Sequence, residues 1–232
     1  MKADEMRKMR KGLMKEVTFF VVLLLLGSPL VPIDEVRAGE KPSLVILPFF
    51  IEKGEKPGRG AFCPVCKRVF QWSDVPAGSE NILTKLLYQK METKQTFKVI
   101  PPEKVEEALK VVQEKEFEKR PITTSFQLGR GLAADFIIVG FLFRFEERIG
   151  SALGVERPAS VGFDLHLFRL RDEKMVWEGR FNETQRPLSE NLLKIVSFFK
   201  RKASWVTAEE LASGGMDDLL KKLPGTKELE EK

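Results

Sequence analysis

The stretch Asp135–Glu146, DFIIVGFLFRFE, decides the fold. Its first half is an uninterrupted apolar run, the pattern of a strand buried on both faces in the middle of a sheet. Its second half places Phe141, Phe143 and Phe145 at alternate positions, so these three rings are expected on one face of the strand. The stretch therefore predicts a long central strand, around which the other elements are arranged.

Two strands are predicted after this central strand. Val161–Leu170 alternates apolar and polar residues, and the turn Arg171–Lys174 leads into a returning strand, Met175–Glu183. This pattern predicts an antiparallel hairpin. The apolar residues of its first strand should face the core, which leaves Asp164 and His166 on a face exposed to solvent.

Two further strands are predicted before the central strand, at Ser43–Phe50 (SLVILPFF) and Phe97–Ile100 (FKVI). The order of elements predicts a single-domain α/β fold. Its sheet is mixed but mostly parallel and five-stranded, with the antiparallel hairpin at one edge. Helices should pack on this sheet, with further helices at the carboxyl terminus. Apolar spacing of three and four residues predicts the helices, at Ser79–Thr93 (capped by Ser79), Pro102–Phe117, Ser125–Ala134, Ser189–Lys202 and Thr207–Leu223 (interrupted or divided by Gly214-Gly215).

The amino terminus carries the pattern of a secretory signal. A basic leader precedes the uncharged apolar run Val17–Leu26, and Val36-Arg37-Ala38 offers a small residue at each position that a signal peptidase inspects. The alternative is a membrane anchor that stays attached, although the uncharged segment only reaches the lower limit of about 17–25 residues for a spanning helix. We predict export to the periplasm or cell envelope, with 1–38 as a signal peptide or an uncleaved anchor.

The charge of the chain gives no reason to expect a nucleic-acid partner. The chain has 39 basic and 34 acidic residues, and the first 38 residues hold seven and five of them, which leaves a net charge of +3 on 39–232. Such a mixed-sign surface is typical of a solvated domain. The predicted division is an α/β domain at 39–186 with a Cys-containing loop at 52–77, a helical extension at 187–225 and a flexible tail at 226–232.

Four segments, taken in order, resemble a known family. They are KPSLVILPFF from Lys41, FKVIPPEKV from Phe97, LGRGLAADFIIVGFLFRFEE from Leu128 and VGFDLHLFRLRDEKMVWEGRF from Val161. They are similar to the bacterial envelope α/β domain shared by the amino-terminal domain of TolB, the curli secretion lipoprotein CsgG and the penicillin-binding-protein activator LpoB.

The strand ending in Leu-Pro-Phe, the Ala-Asp-x-Ile-x-Val-Gly motif at 134–140 and Trp177 before Gly179 carry this resemblance. It covers roughly Lys41–Phe181. It implies a non-enzymatic domain that binds other envelope proteins. The Cys-containing loop and the last helices depart from the family pattern, so the family assigns them no role. Trp177 is expected to be buried against a helix.

Cys63-Pro64-Val65-Cys66 is the sharpest motif in the sequence. In an oxidising compartment the two thiols can form a disulfide, which we favour because the chain has only these two cysteines. Alternatively, Cys63 and Cys66 resemble one knuckle of a zinc ribbon, but zinc prefers four ligands and no second Cys pair is present. Carboxylates or a second chain would then have to complete the site. A thioredoxin-like redox role is less favoured, because the motif does not visibly open a helix.

The remaining residues do not suggest an enzyme. His166 is the only histidine, and no Ser or Cys in a recognisable context accompanies it as a triad would require. We therefore predict no catalytic residues and no cofactor, with zinc as the one alternative. The predicted function is a protein-interaction or assembly module whose partners are other envelope proteins or copies of itself. The alternative function is a zinc- or redox-dependent module that works through the CPVC loop. Contact with a membrane is expected only through the amino-terminal segment, if that segment is not cleaved.

Overall fold

The computed structural model describes residues 40–54, 60–73, 75–112, 117, 120–151, 154–185 and 205–231. The predicted signal at 1–38 and the predicted helix Ser189–Lys202 lie outside the described residues. The boundary between an α/β domain and a helical extension near residue 187 therefore stays a prediction.

The sheet is built around β6 (Phe136–Glu146), the predicted central strand. On one side, β9 (Ser160–Arg169) and then β10 (Lys174–Thr184) continue the sheet in antiparallel fashion. On the other side, β1 (Ser43–Ile46) pairs in parallel with β6, and β5 (Lys98–Val99) pairs in parallel with β1. These pairings confirm a mixed α/β sheet with an antiparallel hairpin at one edge.

The sheet has six strands rather than the predicted five, because Pro48 divides the first strand. Pairing with β6 extends to Leu47, whose N–H donates to the carbonyl of Ile138 at 3.2 Å. Proline has no N–H to continue the ladder. Pairing resumes at β2 (Phe50–Ile51), again parallel to β6. Of the five strand pairings described in this sheet, three are parallel and the two longest are antiparallel, so the sheet is mixed rather than purely parallel.

Helices cover both faces of the sheet. They are α1 (Ser79–Lys94), α2 (Pro102–Val111), α3 (Pro121–Gly131), α4 (Ala208–Leu220) and α5 (Thr226–Glu231). We call the face under α1 and α4 the first face, and the face under α2 and α3 the second face. Ser79 is the first residue of α1 and not its predicted cap; Gly78, with φ of 89°, precedes it. None of the helices described here is long and apolar enough to span a membrane.

A β-bulge between Leu142 and Arg144 redirects the aromatic residues of β6. Phe141 and Phe143 belong to the core of the second face, whereas Phe145 belongs to the core of the first face. All three rings were predicted on one face, and this was wrong for Phe145 because one extra residue reverses the alternation that follows it.

Another β-bulge shapes β10 and sets the burial of Trp177. It lies between Met175 and Trp177, near the start of the strand. Trp177 is half-buried and packs over Gly179, so the prediction of a buried tryptophan was only partly correct. β10 is an edge strand of the sheet, and part of the indole ring stays accessible to solvent.

The predicted flexible tail at 226–232 is a helix, α5, over its first six residues. Leu229 is fully buried in the core of the first face. The guanidinium of Arg169 on β9 donates to the carbonyls of Leu229 at 2.9 Å and Glu230 at 2.7 Å. Arg171 donates a third hydrogen bond, to the carbonyl of Glu230 at 2.8 Å. The burial of Leu229 and these three hydrogen bonds hold a segment whose composition alone is that of a solvated tail.

Helix α4 approaches β10 closely at Gly215 and continues through the glycine pair that was predicted to interrupt it. A Cβ atom at position 215 would lie 2.5 Å from the ring of Phe181. We therefore expect Gly215→Ala to lower the free energy of unfolding by about 1–3 kcal/mol, as overpacking does. Denaturant unfolding measures this change. Gly131→Ala, where nothing lies within 4 Å of the added atom, is the control; equal losses in both variants would contradict this packing.

Candidate metal centre

The predicted loop 52–77 contains an antiparallel hairpin that covers part of the second face. Its strands are β3 (Gly60–Phe62) and β4 (Val69–Gln71). Phe70 of β4 stacks on Phe143 of the sheet, with ring centroids 3.9 Å apart and planes 7° apart. The guanidinium of Arg180 lies over the outer side of Phe70, 4.3 Å from the ring centroid. The hairpin is therefore seated on the sheet by aromatic and cation–π contacts.

The CPVC motif forms the turn of this hairpin. The backbone N–H groups of Val65 and Cys66 donate to Cys63 Sγ at 3.3 and 3.4 Å. The Cys63 N–H donates to the carbonyl of Arg68 at 2.9 Å, which closes the turn. Two N–H groups directed at one sulfur favour its charged form, the thiolate, which is the form that binds metals.

Asp164 and His166 lie opposite this turn, on β9. Their spacing of two residues puts both side chains on the second face of the sheet, and the apolar residues between and around them face the first. The alternation of faces along β9 was predicted correctly, but the exposure of Asp164 and His166 to solvent was not. Asp164 is 2% exposed and His166 is 0% exposed, because the β3–β4 hairpin covers the face that was expected to meet solvent.

The four side chains converge on one point. Cys63 Sγ lies 3.7 Å from His166 Nε2, and Cys66 Sγ lies 3.7 Å from Asp164 Oδ2. One ligand atom from each residue lies within 4.8 Å of all the others. Ligands on a tetrahedral zinc ion, at about 2.0–2.3 Å from the metal, are about 3.3–3.8 Å apart. The longest separation would thus have to close by about 1 Å for all four to bind a single ion.

The electrostatics of the cluster favour a bound cation. Burial raises the pKa of Cys63, and the neighbouring Asp164 raises it further. Burial also raises the pKa of Asp164 to about 7 and lowers that of His166 to about 4. Asp164 Oδ1 and His166 Nδ1 are buried and have no hydrogen-bond partner in the described part of the chain. A divalent cation would stabilise the thiolates and the carboxylate.

Three alternatives were predicted for the cysteines: a disulfide, a zinc site and a thioredoxin-like redox site. Cys63 and Cys66 are free thiols in the structure, and the disulfide between them stays a prediction. The motif lies in a turn between two strands and opens no helix, so it lacks the context of a thioredoxin-like site. Asp164 would supply the carboxylate that the sequence left open for a zinc site. Its partner His166 was expected to be a solvated residue.

Comparison with known proteins adds a general likeness of fold. No family model and no curated protein matches this chain. Among solved structures, the PelC dodecamer from Paraburkholderia phytofirmans matches with a TM-score of 0.43 and 10% identity, over 78% of this chain and 85% of that chain. The LpoB C-terminal domain from Salmonella enterica matches with a TM-score of 0.40 and 9% identity, over 63% and 84%. Lipoprotein GNA1162 from Neisseria meningitidis matches with a TM-score of 0.37 and 15% identity, over 70% of this chain and 96% of that chain. LpoB, one of the proteins named in the predicted resemblance, is among these solved structures.

Proposed function

We propose that this chain is a non-enzymatic protein-interaction module of the bacterial cell envelope, in which one zinc ion locks the β3–β4 hairpin to the sheet. One observation carries the proposal. Cys63 and His166, 103 residues apart in sequence, meet in a buried cluster that Cys66 and Asp164 complete. Buried thiol, carboxyl and imidazole groups in such a cluster are costly unless they pair or bind a metal.

The donor set selects zinc over the other common divalent ions. Two thiolates are soft ligands, which Mg²⁺ and Ca²⁺ avoid and which zinc accepts readily. An imidazole nitrogen and a carboxylate oxygen are both ordinary zinc ligands at about 2.0–2.2 Å. The set of two sulfurs, one nitrogen and one oxygen therefore fits a tetrahedral zinc site.

The number of ligands makes the site structural. Catalytic zinc sites generally have three protein ligands and leave the fourth position to water or substrate. Here four side chains of one chain are available as ligands, and three of them are buried. His166 is the only histidine of the chain, so its use as a ligand leaves no imidazole elsewhere for acid–base catalysis. The ion holds the fold, and the domain acts through its surface.

The location and partners follow from the sequence. The basic and apolar leader at 1–38 supports export to the periplasm or envelope, and the family resemblance supports contacts with other envelope proteins or with copies of this chain. The near-balanced charge of 39–232 supports the absence of a nucleic-acid partner. Any membrane contact is assigned to the amino-terminal segment, if it is retained.

Metal analysis of the exported protein, purified without chelators, tests this proposal. We expect one zinc per chain by elemental analysis and native mass spectrometry, and less than a tenth of that in Asp164→Asn. Asp218→Asn, an exposed carboxylate on α4, should keep its zinc. A metal-free chain two hydrogens lighter than the reduced form would instead establish the Cys63–Cys66 disulfide. Half a zinc per chain in a dimer would show that two chains share the ion.

A further inference from the structure

Strand β10 forms a long edge of the six-stranded sheet. No strand of the described residues pairs with its outer side; β3 and β4 pair with each other, as do β7 (Ile149–Gly150) and β8 (Val155–Arg157). Folded proteins usually protect such an edge with proline, lysine or a β-bulge, because it is a template for another strand. The bulge of β10 lies before Trp177, and Glu178–Thr184 contains neither proline nor lysine. This stretch is therefore an edge that is able to accept a further strand.

The hydrogen-bond alternation of β10 shows which backbone groups face this edge. In an antiparallel ladder, every second residue of a strand exchanges its hydrogen bonds with the partner strand. The Gln185 N–H donates to the carbonyl of Ala159 at 2.9 Å, so this pair belongs to the hydrogen-bonded set. By the same register, Gly179 and Phe181 are bonded to β9. The residues between them direct their N–H and C=O groups away from β9; these are Glu178, Arg180 and Asn182.

Two opposite charges stand side by side on this edge. Glu178 and Arg180 lie on the second face, where Glu178 forms a salt bridge with Arg68 and Arg180 lies over Phe70. The pair of Arg68 and Glu178 is partly exposed, and such pairs contribute little to stability. Arg180 forms no salt bridge within the described ranges. A strand that places a carboxylate opposite Arg180 is therefore attracted, and one that places a second arginine there is repelled.

A strand of this kind is β10 of a second copy. Two copies related by a two-fold axis pair their β10 edges antiparallel, and only residues with outward-facing backbone groups bond to each other. If the axis passes at Gly179, Glu178 of each chain faces Arg180 of the partner subunit. An axis at Arg180 brings two arginines together, and one at Glu178 brings two glutamates together, which is unfavourable. An axis at Phe181 places Arg180 opposite the neutral Asn182. Charge complementarity therefore selects the axis at Gly179.

We propose that this protein forms a two-fold symmetric dimer through its β10 edges, with the axis at Gly179. Main-chain hydrogen bonds join Glu178 and Arg180 of the two chains, and the charges of these side chains fix the register. Trp177, which is half-buried in one chain, then faces Phe181 of the partner subunit and gains an aromatic neighbour. The dimer rests on the proposed function as an interaction module, whose surface and partner it names, but it does not depend on the zinc ion.

Sedimentation equilibrium of the exported protein over a range of concentrations tests the dimer. Glu178→Arg makes the paired charges all positive and Arg180→Glu makes them all negative, so each variant alone should raise the dimer dissociation constant about tenfold or more. An equimolar mixture of the two variants should associate about as tightly as the wild type, because every glutamate again faces an arginine. Lys98→Glu, an exposed charge reversal on β5 at the other edge of the sheet, should leave the dissociation constant unchanged.

Amide hydrogen exchange of the wild type checks the register without any substitution. The N–H groups of Glu178 and Arg180 should gain protection as the protein concentration rises, whereas those of Gly179 and Phe181, which are bonded to β9, should be protected throughout.

The dimer is overturned if the wild type stays monomeric, if the mixed variants do not associate, or if the protection of Glu178 and Arg180 does not depend on concentration. An equal loss of association in Lys98→Glu would show a general effect of charge and would also overturn it. The zinc content of the same samples separates this proposal from the proposed function. A zinc-loaded monomer rejects the dimer alone, whereas a zinc-free dimer supports the β10 edge and rejects the metal site.

Discussion

Removal of zinc is expected to lower the free energy of unfolding by about 4 kcal/mol or more. An ion that binds only the native state stabilises it by about 4.1 kcal/mol when its free concentration is a thousand times its dissociation constant. Structural zinc sites bind tightly enough to reach that regime at low free zinc. Without the ion, Asp164 and Cys63 remain buried beside each other with no cation to compensate them. Denaturant unfolding in buffered zinc and in chelator, both with reductant present, measures the difference.

Two variants make this measurement specific. Cys66→Ser should unfold at the same denaturant concentration with and without zinc, because serine is a poor zinc ligand and the half-buried position tolerates it. Asp218→Asn should keep the full dependence on zinc. A disulfide across two intervening residues closes a short ring and is expected to stabilise only modestly, and reductant would abolish its effect. A wild-type chain that unfolds identically in zinc and in chelator would contradict the zinc proposal.

The effect of zinc should be localised to the hairpin that the ion holds. The Cys63 N–H donates to Arg68 at 2.9 Å and the Lys67 N–H donates to Cys63 at 3.1 Å, both within the CPVC turn. In chelator, these amides should lose most of their protection from hydrogen exchange. The Ile100 N–H, which donates to Leu44 inside the sheet at 2.8 Å, should remain protected, because the sheet does not depend on the hairpin turn.

The sequence was sufficient to predict the framework of the sheet. The apolar run of Asp135–Glu146 identified the central strand, and β1 pairs beside it in parallel. The differences between the predicted and the observed sheet arise from single residues that act locally. Pro48 divides a strand that reads as continuous, and the bulge before Arg144 reverses the side of Phe145. Neither effect changes the apolar pattern, so periodicity alone could not have shown them.

The candidate metal centre was predicted only in part, because half of it depends on long-range contact. Cys63 and Cys66 form a local motif that the sequence shows directly. Asp164 and His166 became recognisable as ligands only once the hairpin was seen to cover the second face. A signal was nevertheless present. The central strand is apolar on both faces, so both faces of its neighbour β9 had to be covered. An Asp-x-His pair on a strand covered on both sides needs a partner.

The second large effect is expected from Phe70→Ala, which removes the ring that seats the hairpin. Phe70 is fully buried, stacked on Phe143 at 3.9 Å and covered by Arg180. Truncation of a buried aromatic residue typically costs about 3–5 kcal/mol, and we expect a loss in this range by denaturant unfolding of the zinc-loaded protein. Phe62→Ala is the matched control on the same hairpin, because that ring is 65% exposed; its loss should stay within about 0.5 kcal/mol.

The two phenylalanine variants also separate seating of the hairpin from metal binding. Cys63 and Cys66 reach Asp164 and His166 only when the hairpin lies on the sheet, so an unseated hairpin must first be ordered before zinc can bind. Phe70→Ala should therefore weaken zinc affinity as well as stability, whereas Phe62→Ala should leave both unchanged. Competition with a chromophoric chelator measures the affinity. Unchanged zinc affinity in a destabilised Phe70→Ala protein would show that the metal alone holds the hairpin in place. An equal loss of stability in both variants would mean that the stack of Phe70 on Phe143 does not seat it.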